Sequence, residues 1–88
     1  MQNLKNMFFV YALYNKKFNK IYIGQTRDLE KRLHEHNAHI FKGYTSRFES
    51  SWKIIYQETQ ETREEALARE RQLKSYRGRE YIKLHIPR

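Results

Sequence analysis

Apolar and polar positions change rhythm several times along this chain, and each rhythm predicts an element. Residues 7–14 alternate as a strand does, with Phe9, Tyr11 and Leu13 on one face and Phe8, Val10, Ala12 and Tyr14 on the other. Both faces are apolar or aromatic, so the pattern predicts an inner strand. Polar residues 15–20 supply a turn and residues 21–24 resume the alternation, which together read as a hairpin. Gly24 is expected to let the chain leave the second strand without side-chain obstruction. Thr26 or Asp28 can cap a following helix, in which Leu29 and Leu33 recur at four-residue spacing and face the sheet. Arg32 and His36 share that spacing on the neighbouring stripe, so they should project side by side from the edge of the buried face. This helix is expected to fade near Asn37.

Residues 38–51 have no period and read as a loop carrying Lys42 and Arg47 among glycine, hydroxyl and aromatic residues. A third strand is predicted over residues 52–56, with Trp52, Ile54 and Tyr56 on one side and Lys53 and Ile55 on the other. Trp52 is read as core, because large aromatic side chains dominate small cores. Thr62-Arg63-Glu64-Glu65 is a capping box, threonine first and glutamate three residues on, opening a helix that should run to residue 75 or 76. At 100° per residue, Ala66, Leu67 and Leu73 all lie within about 60° of Glu70, whereas Glu64 and Glu65 belong to the first, exposed turn. Glu70 is therefore centred on the stripe that should face the sheet. A carboxylate there is costly unless it is paired or binds a cation. It could answer Arg69, Lys74 or a tyrosine hydroxyl as a structural acid, or it could hold a metal ion, and the pattern leaves both open. Gly78 is expected to end the helix, and residues 79–86 to form a last packing segment, either a short helix or irregular chain.

Composition narrows the function classes. At 88 residues the chain makes one domain, and such a length buries only about 60–65% of the surface exposed when unfolded. With no cysteine, thiol chemistry, disulfides and cysteine-ligated zinc are excluded. No run approaches the roughly 20 apolar residues that span a bilayer, and the first residues lack a secretory signal, so no membrane role and a cytoplasmic location are expected. The formal net charge is +8, with basic residues spread from Lys5 to Arg88. A folded basic domain has a polyanion among its expected partners, nucleic acid foremost.

One set of residues has a chemistry in common. Cleaving a phosphodiester needs an activated water, neutralisation of charge on the phosphorus, and help for the departing oxygen. A tyrosine or histidine can take the proton of water, an arginine can clamp the phosphate, and a carboxylate can hold a divalent ion. Tyr11, Tyr22, Arg32, His36 and Glu70 supply these groups. His34 and His36 cannot share one ion on a helix, because i, i+2 spacing sets them roughly 160° apart.

In these residues the chain resembles the GIY-YIG nuclease superfamily, above all its short stand-alone bacterial members and the incision domain of the excision-repair nuclease. Phe9-Val10-Tyr11 stands at the first motif, Tyr22-Ile23-Gly24 at the second, Asp28 to Leu33 at the arginine helix and Glu65 to Glu70 at the segment ending in the metal-binding glutamate. Phe9 replaces the first glycine, a strand-compatible change that spares the tyrosine, and Gln25 stands where the repair nuclease has a lysine. The resemblance covers residues 7–82. It implies an α+β fold with a three-stranded antiparallel sheet flanked by helices. It implies hydrolysis of DNA with one Mg²⁺ or Mn²⁺, leaving 5′-phosphate and 3′-hydroxyl ends, with a structure-specific or repair-related substrate. On this reading Glu70 ligates the metal, Arg32 stabilises the phosphate, and one of the two tyrosines activates water with His36 as a relay. Which tyrosine does so is open. Gln25, Lys42, Arg47, Arg77 and Arg79 are expected nucleic-acid contacts, and equally readable as solvated charges. A chain this short would need a protein partner or a homodimer for targeting. The rival expectation is a non-catalytic nucleic-acid-binding module on the same scaffold.

Overall fold

The computed structural model describes residues 7–38 and 51–87, so Lys42 and Arg47 lie outside the described residues. Strand β1 (Phe8–Asn15) turns back into β2 (Lys20–Thr26), and helix α1 (Leu29–Asn37) follows. Strand β3 (Lys53–Gln60) then leads to α2 (Arg63–Lys74) and α3 (Tyr76–Lys83). The sheet is antiparallel in the order β2-β1-β3, which makes β1 the inner strand its two-sided apolar pattern predicts. The turn between β1 and β2 is closed by the buried Asn15, whose Oδ1 accepts from the Phe18 amide at 3.1 Å, and by Asn19 in the left-handed region at φ 52°. Asparagine tolerates that conformation better than most residues.

The two faces of β1 organise two cores. On one, Tyr11, Leu13, Leu29 and Trp52 pack with Phe9, Tyr22, Leu33 and Ile54, under α1. On the other, Val10, Ala12 and Ile23 pack with Ala66, Leu73 and Ile82 of α2 and α3. The sheet is thus sandwiched, an α+β arrangement in which one β1 face belongs to the first helix and the other to the last two.

Three sequence expectations are corrected. Tyr56 does not share a face with Trp52 and Ile54. A bulge leaves Ile55 without a register partner, since Leu13 pairs with Ile54 and Ala12 with Tyr56, and the extra residue carries Tyr56 to the α2 side. Gly24 does not end β2 but sits opposite Tyr11, two residues before the strand's end. Gly78 does not end a helix either. It lies inside α3, where a Cβ would stand 2.2 Å from the Gln72 carbonyl oxygen and 2.4 Å from the Leu73 Cα. Only glycine lets α3 press onto the end of α2. Ser75 makes the break instead: it closes α2 and caps α3, its hydroxyl donating to the Gln72 carbonyl at 2.6 Å and accepting from the Gly78 amide at 3.1 Å.

Candidate active site

Tyr11 and Tyr22 reach the same face of the sheet from neighbouring strands. Tyr11 lies opposite Gly24 and Tyr22 opposite Leu13, so the two tyrosines are diagonal partners with ring centroids 6.2 Å apart. Gly24 makes the approach feasible: a Cβ there would stand 2.9 Å from the Tyr11 hydroxyl and 2.9 Å from the Tyr22 ring. The glycine of the Tyr22-Ile23-Gly24 motif therefore clears space for the hydroxyl of its cross-strand neighbour.

Helix α1 brings the next two groups. Asp28 caps it, with its side chain accepting from the Lys31 amide at 3.1 Å, while Thr26 Oγ1 accepts from the Asp28 amide at 3.2 Å and sets up the turn. Both residues named as possible caps thus act in sequence, Asp28 as the cap itself. Leu29 fixes the helix on the sheet, and His36, two turns on, is fully buried between the tyrosines. His36 Nε2 is hydrogen-bonded to the Tyr11 hydroxyl at 3.2 Å, and its ring centroid is 4.7 Å from that of Tyr22. Burial pushes the His36 pKa down to about 4, and the neighbouring Arg32 charge pushes the same way, so the ring is neutral at pH 7. Burial also raises Tyr11 above the ordinary tyrosine value; Tyr22 and Glu70 add to the rise and Arg32 opposes it. Arg32 itself sits half-buried beside the cluster, with Nη1 3.7 Å from Glu35 Oε1.

Glu70 comes from the other layer. It lies on α2 between the buried Ala66 and Leu73, and its side chain keeps only 19% of its exposure. Its negative charge is among the smaller influences that raise the Tyr11 hydroxyl above its ordinary value. Its partner is Lys74, whose Nζ is 2.6 Å from Glu70 Oε2. Arg69 is turned elsewhere: its Nε donates to Glu58 Oε1 at 2.8 Å and its Nη1 to Gln72 Oε1 at 3.1 Å. Tyr56 also donates to Glu58 Oε1, at 2.7 Å. Burial alone would raise the Glu58 carboxyl, but the hydrogen bonds from Arg69 and Tyr56 outweigh it and hold it below the usual range. The acid that answers Arg69 is thus Glu58, a residue that the sequence pattern did not single out.

The donor set bears on which cation would fit. Among the described residues, no group of three or more histidine, cysteine, aspartate or glutamate side chains converges on a point, so no closed, zinc-type cage exists there. One half-buried carboxylate, Glu70, suits a hard ion that keeps most of its water and takes phosphate oxygens from a substrate. Of the remaining residues, Gln25 pairs with Val10 in the sheet. Arg79 is engaged with α2, its Nε donating to the Lys74 carbonyl at 3.1 Å, and Arg77 is exposed on α3. Arg77 and Arg79 lie on α3, whose Ile82 packs on the sheet face opposite that of the tyrosines. A hollow of about 750 Å³, lined by Phe9, Arg27, Leu29 and Ile54 among others, opens at the start of α1 and not at the tyrosine cluster.

One positioning contact escaped the sequence reading. Asn37, the last residue of α1, clasps the Trp52 backbone, donating from Nδ2 to its carbonyl at 3.2 Å and accepting at Oδ1 from its amide at 2.7 Å. It ties the helix that carries Arg32 and His36 to the start of β3. An asparagine at a helix end is a common enough cap that its long-range partner had no signal in the sequence.

Comparison with known proteins agrees with this arrangement. A family profile described as the GIY-YIG catalytic domain matches residues 7–82. A UPF0213 protein of Staphylococcus saprophyticus is 34% identical over 68 residues, covering 77% of this chain and 82% of the relative. A UPF0213 protein of Haloquadratum walsbyi is 41% identical over 56 residues, covering 64% of this chain and 62% of the relative. The solution NMR structure of a UPF0213 protein from Bacillus halodurans superposes with a TM-score of 0.51 at 27% identity, over 86% of this chain and 81% of that one.

Proposed function

The chain belongs to the GIY-YIG catalytic-domain family, and from that premise we propose that it is a divalent-metal-dependent endonuclease that hydrolyses phosphodiester bonds in DNA. The observation that carries the proposal is the packing of Tyr11, Tyr22 and His36 together on one sheet face, with Arg32 one turn before His36 on the same helix.

Each residue then has a role that its surroundings support. Glu70 would hold Mg²⁺ or Mn²⁺, which would supply Lewis-acid stabilisation of the phosphate and of the leaving oxygen. Arg32 faces the same cluster and offers a permanent positive charge to the phosphate. Tyr22 is half-buried whereas Tyr11 is 1% exposed, so Tyr22 is the side chain that a water can meet; it positions that water and, as the phenolate, takes its proton. Tyr11 is held by His36 and orients its neighbour from behind. His36, with a pKa near 4, is a poor terminal acceptor for a proton at pH 7 and acts by fixing the Tyr11 hydroxyl. The net charge of +8 favours a polyanionic substrate, and a branched, flapped or nicked DNA is the substrate class that family analogy favours.

The test is incubation with labelled linear, branched, flapped and single-stranded DNAs in Mg²⁺, Mn²⁺ or EDTA. Cleavage that requires the metal and leaves 3′-hydroxyl ends is expected. Binding without cleavage on every substrate would replace the proposal with a nucleic-acid-binding module.

A further inference from the structure

We infer that Lys74 and the divalent cation compete for Glu70, so that the resting carboxylate is held by the protein's own ammonium group. The inference rests on the assignment of Glu70 as the metal ligand. The Lys74 Nζ lies 2.6 Å from Glu70 Oε2, a shorter contact than the Arg69–Glu58 pair at 2.8 Å. The pair is asymmetric: the Glu70 side chain is 19% exposed and that of Lys74 45% exposed. A half-buried carboxylate needs a counter-charge. The more exposed lysine, on a flexible four-carbon stem, can swing into solvent without leaving a buried charge behind. Glutamate one turn before lysine is also the favourable order on a helix, so α2 builds the pair into its own last turns.

The neighbouring cation does not take this place. Arg69, adjacent to Glu70, is fixed by Glu58 and Gln72. One carboxylate oxygen of Glu70, Oε2, is thus covered by one removable group. A metal that takes Oε2 must displace it, and the apparent affinity for the metal is lowered by the fraction of time that oxygen is occupied. The free protein holds its divalent ion weakly as a result, and Lys74 sets that affinity without touching the reacting atoms.

Mn²⁺ binding at pH 7.5, followed by the loss of the free-ion paramagnetic resonance signal, tests this without any cleavage. Lys74→Met, which keeps the length and removes the charge, should bind Mn²⁺ roughly three- to tenfold more tightly than the wild type, the range expected for removing a partly exposed ion pair and its repulsion of the ion. Lys53→Met, on the far edge strand, controls for net charge and should change affinity less than twofold. Glu70→Gln should lose the site in either background. Loss of binding in Glu70→Gln with unchanged affinity in Lys74→Met would overturn the competition and leave the metal assignment intact. Wild-type binding by Glu70→Gln would overturn the metal assignment, and the competition with it. Lys74→Gln, melted by circular dichroism beside Lys74→Met, guards against a folding defect, and tighter binding in only one of two equally folded variants would also count against the competition.

Discussion

His36 gives the most quantitative handle on the site. It is fully buried, and its pKa falls from 6.5 to about 4 in the fold. The sign follows from proton linkage: the unfolded chain binds a proton at His36 more readily than the folded one, so stability is complete above pH 6.5 and declines as pH falls toward 4. At pH 5 the folded imidazole is still about nine-tenths neutral and the unfolded one almost fully charged, a difference of about 2 kcal/mol in favour of unfolding. At pH 7.5 the same term is near zero. Replacing His36 with glutamine keeps a polar group within reach of the Tyr11 hydroxyl and removes the titration. Urea denaturation of both proteins at pH 7.5 and pH 5.0 should therefore show the wild type losing about 2 kcal/mol more than His36→Gln between the two pH values. With a slope of about 1 kcal/mol per molar urea for a domain this small, that is a midpoint shift larger by about 2 M. Carboxylates such as Glu58 titrate in both proteins and cancel in the difference. Equal losses in the two proteins would refute the reasoning, because they would mean that His36 is charged as readily inside the fold as outside it.

Three further outcomes are expected. Gly78→Ala would force a methyl group into the backbone of α2 and should cost about 2 kcal/mol or more, seen as a melting temperature lower by roughly 10 °C. Gly24→Ala should fold, but its Cβ would crowd the hydroxyl of Tyr11 and the ring of Tyr22, and single-turnover cleavage should fall by at least roughly tenfold; an unchanged rate would separate the tyrosine geometry from activity. Asn37→Ala removes both hydrogen bonds to the Trp52 backbone and should cost about 1–3 kcal/mol in urea denaturation.

Much of this architecture was legible in the sequence because local patterns and tertiary demands agree. The two-sided apolar run of β1 announced an inner strand, Thr62 and Glu65 announced the start of α2, and the four-residue spacing of Leu29 and Leu33 announced the face of α1 that meets the sheet. Both glycines were misread for one reason. A glycine in sequence suggests freedom for its own backbone, whereas Gly24 and Gly78 serve the atoms of their neighbours, Tyr11 and Tyr22 in one case and the end of α2 in the other. Tyr56 was misplaced because a one-residue bulge reverses the facing of everything beyond it and leaves no mark in composition. At the candidate site the helical periodicity of α2 singled out Glu70, and the alternatives it left open included Lys74, the partner the structure gives it. The competing claim on Arg69 by Glu58 could not be read, because it joins residues eleven apart across a turn and depends on where the bulge puts β3.

The most direct test of the account compares wild type and Glu70→Gln in single-turnover cleavage of a labelled branched DNA in Mn²⁺, with both proteins matched for folding by circular dichroism and for DNA affinity by gel shift. Metal-dependent cleavage by the wild type is expected, with a loss of at least about a hundredfold in Glu70→Gln and DNA affinity retained. Equal cleavage by the two proteins, or cleavage that persists in EDTA, would contradict it.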